Sequence, residues 1–298
     1  MNRYKLYFAL AVATLIVGCA TTDLKVPPVD QVALANAKNE IRNAPAITNT
    51  YVPVADADQA LAVIFKNLQP SARSVCQQVG EDECIWDLEL STASDLNAHA
   101  EGESKVVINR GIFNYAKSDE EVAFVVAHEI GHHIADHIHE TTVNATTGAL
   151  IGGILFAALG AAAANPYDPY AQQRVNQMTR DGMNAGAAIG AVSFSVAEEK
   201  EADFLGAQIL RGAGYEPRNA RQLIITMGKL TGQENTGFLA SHPAGPERLA
   251  SYDQMLAMTI GHDEKGKLAL VPMQDGPPGS DSGGATLNRP GFPGDDFV

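Results

Sequence analysis

A chain of 298 residues with 45% hydrophobic content can bury one substantial core, enough for a catalytic domain with appendages. Its 35 acidic side chains against 21 basic ones give a formal charge of −14. That balance excludes nucleic acid as a partner and excludes a polybasic grip on anionic lipid.

Residues 1–18 have the order of a lipoprotein signal peptide. Arg3 and Lys5 make a basic start, and Leu6 to Val17 is an apolar stretch too short for a comfortable membrane span. It ends Leu15-Ile16-Val17-Gly18-Cys19, which resembles the bacterial lipobox, with Cys19 as the lipid-modified first residue of the mature chain. The alternatives are a plain signal peptide or an uncleaved anchor. Removing the leader takes the charge to −16, because only Arg3 and Lys5 leave with it. Ala20 follows the cysteine where Asp would favour inner-membrane retention, so the expected place is the outer membrane, facing the periplasm.

Residues 19–50 are polar with scattered prolines and suit a tether, with a short helix around Val32 to Arg42. Asp56 to Val79 has the spacing of an amphipathic helix. Once Cys19 is lipidated, Cys76 and Cys84 remain. In an oxidising periplasm so short a loop closes into a disulfide, the alternative being two buried free thiols. Ile85 to Leu90 alternates apolar and polar residues, which predicts a strand, and Lys105 to Asn109 predicts a second, closed by Gly111. The second strand is expected either to offer an edge for backbone pairing with an extended peptide or merely to fill a small sheet.

The most informative segment follows. Ser118-Asp119-Glu120-Glu121 predicts a capping box opening a helix, and Val122 to Ala127 makes that helix apolar on most sides. It runs into His128-Glu129-Ile130-Gly131-His132. Residues four apart share a helix face, so His128 and His132 can hold one metal ion while Glu129 lies beside it as a proton acceptor for water. His133 and His137 are also four apart. Ile134 stands where a glutamate would be needed, so they are expected to form a solvated flank.

Ala145 to Ala164 carries no charge, and Gly182 to Ala197 is a matching Ala- and Gly-rich stretch. Glycines four apart (Gly148 and Gly152; Gly182, Gly186 and Gly190) let two helices approach closely, and Asn165-Pro166-Tyr167-Asp168-Pro169 turns the chain between them. The expectation is a helical hairpin inserted over residues 145–197, packed on the enzyme or dipping into a membrane interface. A true span is disfavoured by weakly hydrophobic Ala and Gly and by Asn184 and Ser193.

A catalytic zinc needs a third protein ligand and an open position. Glu199 and Asp203 are four apart on a second helix, so Glu199 can bind the metal while Asp203 orients a ligand histidine, His128. Glu198 and Glu201 are rivals, but neither has an aspartate four residues later. Residues 51–262 thus form the catalytic domain, and 263–298, dense in Gly, Pro, Asp and Ser from Pro272 onward, a largely disordered tail.

His128-Glu129-x-x-His132, Glu199-x-x-x-Asp203 and His242-Pro243-x-x-x-x-Arg248, taken in order, resemble the motif set of the membrane-associated gluzincins that include HtpX, BepA and the CAAX prenyl protease. Asn97-Ala98 fits the same pattern. With the lipobox and the cysteine pair, the likeness is to the periplasmic lipoprotein branch of that family. The resemblance spans roughly residues 50 to 260. It implies an α+β, predominantly helical, zincin-like metallopeptidase domain with a small β-sheet beside the HExxH helix, one zinc per subunit, and metalloendopeptidase activity in quality control of misfolded envelope proteins. Partners would be protein or peptide substrates, the membrane through the N-terminal lipid, and other envelope proteases or outer-membrane assembly proteins. A chaperone-like lipoprotein with a latent metal site is the rival. The resemblance also implies that His242 lies near the zinc, where it would hold the enzyme latent, help stabilise the oxyanion, or only cap a helix. Arg248 would serve there as an ion-pair partner or as a contact for a substrate carboxylate.

Overall fold

The structure is a computed structural model describing residues 24–165, 167–190, 194–230, 242–243 and 245–273. Cys19 and the glycine-rich end of the tail lie outside the described residues. Among these residues the order is α1 (Gln31–Asn43), α2 (Val54–Gln78), β1 (Asp87–Ser91), β2 (Ala98–Glu101), β3 (Lys105–Asn109), α3 (Gly111–Tyr115) and α4 (Asp119–Ile134). There follow α5 (His137–Ala163), α6 (Ala171–Gly190), α7 (Val196–Gly212), α8 (Pro217–Leu230), α9 (Pro246–Met255), β4 (Met258–His262) and β5 (Leu268–Pro272). The architecture is mostly helical with small sheets, as expected for a zincin-like domain.

Helix α4 is the centre of the core. Val122 to His132 are all at most 1% exposed, because α2, α7 and α8 pack around it. Its N-terminus departs from the expected capping box. Ser118 is the N-cap but its hydroxyl is buried without a hydrogen-bond partner among the described residues. The Glu121 carboxylate accepts instead from the Lys117 backbone N–H at 3.0 Å. Burial raises the Glu121 pKa to about 7, against the lowering effect of that backbone bond and of the Lys117 charge. A carboxyl whose folded pKa exceeds its unfolded 4.5 binds its proton more tightly when folded, so its cost is absent in acid and grows as pH rises toward 7. Glu121→Gln should therefore match wild type in urea denaturation at pH 4 and exceed it by roughly 2–3 kcal/mol at pH 8. Parallel pH profiles for the two proteins would contradict this.

Two glycines set the distance between α4 and α7. A Cβ on Gly131 would sit 2.8 Å from the Ala202 carbonyl oxygen, and one on Gly206 would sit 3.2 Å from the His128 nitrogen. Backbones this close bring the carboxylates of α7 within reach of the α4 histidines.

The three-stranded sheet has the order β1-β3-β2, with β1 parallel and β2 antiparallel to β3. This corrects the expected edge role of Lys105–Asn109, since β3 is central and paired on both sides. The edge strand that contacts α4 is β2, short and only half-buried. The segment expected as a tether is also largely built into the domain. Leu24 and Ala37 are buried, α1 packs on α8 and α9, and Arg221 ties Glu40 of α1 to Asp253 of α9 at 2.8 Å each. Strand β5, inside the segment expected as tail, pairs with β4. Cys76 and Cys84 are disulfide-bonded at the end of α2.

Helices α5 and α6 form a hairpin that begins at His137 rather than near residue 145. Gly152 meets Gly182, and Gly186 meets Gly148, so tightly that no side chain fits between the backbones. The two helices differ in character. Helix α5 exposes Leu150, Ile154, Leu155 and Leu159 and, among the described residues, is the one helix long and apolar enough to cross a membrane. Helix α6 carries Arg174, Arg180 and Asp181 and is amphipathic.

Candidate metal centre

His128 and His132 stand one turn apart on α4, Glu199 projects from α7, and His242 precedes α9. Their ligating atoms lie within 4.8 Å of one another, and all four side chains are buried. The His128 and His132 Nε2 atoms are 3.1 Å apart. Ring nitrogens this close need a proton or a cation between them, since two lone pairs facing each other repel. Glu199 closes the other side, with its oxygens 3.5 Å from His128 Nε2 and 3.4 Å from His132 Nε2. Glu129 is fully buried, and neither oxygen has a hydrogen-bond partner among the described residues. A bare buried carboxylate beside converging imidazole and carboxylate donors is costly alone and fits a divalent cation of the zinc type.

Around these donors sits an ion-pair network. Arg248, 1% exposed, makes a two-pronged contact with Asp203 at 2.9 and 2.7 Å and reaches Glu199 at 2.6 Å. Burial alone would raise both carboxyls, but the guanidinium outweighs it and holds Asp203 below the ordinary carboxylate range and Glu199 well below it. Asp203 Oδ1 lies 3.0 Å from His128 Nδ1. Burial opposes a charge on His128, yet Asp203 and Glu199 prevail and raise its pKa to about 9. Burial pushes His132 well down instead. Arg248 is enclosed and ion-paired with both Asp203 and Glu199. His242 Nδ1 is 2.9 Å from Glu199 Oε1 and 3.3 Å from His128 Nε2, and its Nε2 is 3.6 Å from Glu129.

The three glutamates of α7 separate by what they touch. Glu198 forms the capping box with Ser195, and Glu201 lies 3.5 Å from His137. Glu199 alone of the three faces His128 and His132.

Two side chains here were not foreseen, and one expectation is reversed. His133 and His137 are not a solvated flank. His133 Nε2 bonds the Lys105 carbonyl at 3.0 Å, and His137, 2% exposed, places Nδ1 2.9 Å from His132 Nδ1. The cause is Asp136, whose left-handed φ of 60° ends α4 and turns the chain back into the site. Phe194 stacks on His132 with centroids 3.9 Å apart and lies 5.2 Å from His242. A lone phenylalanine in a stretch of small residues offers no periodic signal that would single it out.

Residues 65–256 match the sequence profile of peptidase family M48. The chain belongs to that family. M48 is a family of metal-dependent peptidases, which agrees with the four-residue cluster on α4, α7 and the segment before α9. The chain is similar to the mitochondrial metalloendopeptidase OMA1 of Arabidopsis thaliana, 31% identical over 163 residues, covering 55% of this chain and 30% of that protein. It is similar to the beta-barrel assembly-enhancing protease of Escherichia coli, 28% identical over 189 residues, 60% of this chain and 37% of that one. The protein of the same name from Yersinia pestis is 29% identical over 164 residues, 54% and 32% of the two lengths. This M48 chain therefore spans about a third of the length of the curated relatives it matches.

Proposed function

We propose that this protein is a zinc endopeptidase, with one zinc per subunit held by His128, His132 and Glu199 and with Glu129 as the proton-transfer group. The observation that carries this reading is the buried convergence of those donors beside the Glu129 carboxylate, which makes no hydrogen bond among the described residues. Zinc bound there supplies Lewis-acid activation of a water molecule and charge stabilisation on the carbonyl oxygen of the scissile peptide. Glu129 accepts the proton as the water oxygen attacks and returns it to the departing amine nitrogen. The Asp203 carboxylate, 3.0 Å from His128 Nδ1, favours hydrogen on that nitrogen and leaves the Nε2 lone pair for the cluster. Arg248 keeps Asp203 and Glu199 ionised and in place.

His242 is read as the latch. Its imidazole fills the space beside Glu199, His128 and Glu129. Phe194 stacks on His132, and His128, Glu129, His132, Glu199 and His242 are each at most 1% exposed, so a peptide backbone reaches them only once this cover moves. His242→Ala should raise basal cleavage of labelled casein by several-fold without lowering zinc content. The closed cluster also favours the rival reading of a chaperone-like lipoprotein that binds outer-membrane proteins around a latent metal site. If neither wild type nor His242→Ala cleaves casein while both hold zinc, that rival replaces the protease.

The finer identity we propose is a LoiP-like lipoprotein, anchored through Cys19 to the outer membrane and facing the periplasm. Its substrates would be unfolded or misassembled envelope proteins, and its partners other envelope proteases or outer-membrane assembly proteins. The lipobox sequence supports this, as does the likeness to proteases named for β-barrel assembly.

A further inference from the structure

We propose that His137 is a positioning residue for the second metal ligand, forming with Glu201 an outer chain that fixes His132 as Asp203 and Arg248 fix His128. The inference rests on the zinc reading above. Each α4 histidine turns Nε2 toward the cluster, and the direction of that lone pair depends on what accepts the Nδ1–H. For His128 the group facing Nδ1 is a carboxylate on α7, 3.0 Å away. For His132 it is another imidazole, at 2.9 Å, carried on the first residue of α5.

Two imidazoles in contact leave open which nitrogen holds the proton, and Glu201 decides it. Its carboxylate lies 3.5 Å from His137 Nε2, so a negative charge faces that nitrogen and favours the tautomer with hydrogen there. His137 Nδ1 then carries a lone pair and accepts from His132 Nδ1–H, leaving His132 Nε2 free of hydrogen and directed at His128 and Glu199. The opposite tautomer would put hydrogen on His132 Nε2 and spoil it as a ligand. His137 is 2% exposed, so water does not compete for these bonds. Phe194, stacked flat on His132, bars the ring from tilting out of this geometry. The two ligands are thus braced differently, one by an ion pair and one by a neutral relay ending in a carboxylate.

The test is the zinc dissociation constant of the purified full-length chain, measured by competition with a chromogenic chelator. His137→Leu fills the space but cannot accept, and should weaken zinc about 10–100-fold. His137→Asn places its Oδ1 near the Nδ1 position and should recover most of that loss, which a purely space-filling role would not produce. Glu201→Gln, on the less buried end of the chain, should weaken zinc by a smaller factor and keeps the test decisive if His137→Leu does not fold. The cobalt-substituted protein should show a shifted ligand-field band in His137→Leu and a wild-type band in His137→Asn. Equal loss in the Leu and Asn variants overturns the assignment, as does wild-type affinity in His137→Leu or, where that variant does not fold, in Glu201→Gln. Wild type that binds no zinc would sink the metal reading itself, an outcome separate from these.

Discussion

Glu129→Gln should abolish detectable peptide hydrolysis while leaving the fold and the zinc content unchanged. The carboxylate contributes no protein hydrogen bond among the described residues, so exchanging it for an amide of the same shape removes no packing contact. What disappears is the ability to accept a proton from the attacking water and deliver it to the leaving nitrogen. Proton transfer by a positioned side chain is worth roughly a hundred- to ten-thousand-fold in rate. Casein cleavage should fall by at least that factor in the His242→Ala background, where activity is easiest to see. Thermal stability of the metal-free variant should equal or slightly exceed wild type, since a buried negative charge without hydrogen bonds has been neutralised. Retained full activity would remove Glu129 from the mechanism.

Arg248→Met should be the most destabilising single change at the site. The guanidinium is a permanent cation facing two fully buried carboxylates, Asp203 and Glu199, and its planar fork meets Asp203 with two donors. Removing one member of such a group leaves uncompensated buried charge, with a cost of about 3–5 kcal/mol. For a domain of this size that lowers the melting temperature on the order of 10 °C. Arg248→Lys keeps the charge and loses the fork, so it should recover only part of the loss. Arg248→Met combined with Asp203→Asn should be less destabilised than the sum of the two single variants, because the second change removes one of the charges that the first strands. Strict additivity would mean that the three side chains do not act as a unit. Metal-free protein is the form in which to measure this, since zinc adds its own stabilisation by mass action.

The parts of this molecule that could be read from its sequence are the local ones. The helix bearing His128 and His132 and the Glu199–Asp203 pair both follow from four-residue spacing, which is fixed by helix geometry alone. The long α2 and strand β3 are legible from their own residue patterns, and the disulfide from the short loop between Cys76 and Cys84. Placement was not. Nothing within Lys105–Asn109 says that both of its sides are paired, and β2 is easily overlooked because Ala98-His99-Ala100-Glu101 has little apolar contrast. The tether assignment failed because the contacts that hold α1, such as Arg221 with Glu40, join residues far apart in the chain. His133 and His137 read as a solvated flank because Ile134 stands where a glutamate would be needed, and helix spacing gives no sign of the turn at Asp136 that carries His137 into the site. A site built from several elements is therefore visible in sequence as its inner ligands, while its bracing, Asp203 and Arg248 apart, emerges only with the fold.

The central claim is that a metal sits where α4 and α7 meet, and metal analysis tests it most directly. Purified wild-type protein, loaded with zinc and dialysed, should hold one zinc per chain, and Glu199→Ala, treated alike and still folded by circular dichroism, should hold far less. Equal zinc in the two proteins would place the third ligand elsewhere, and a wild-type chain without zinc would contradict the account.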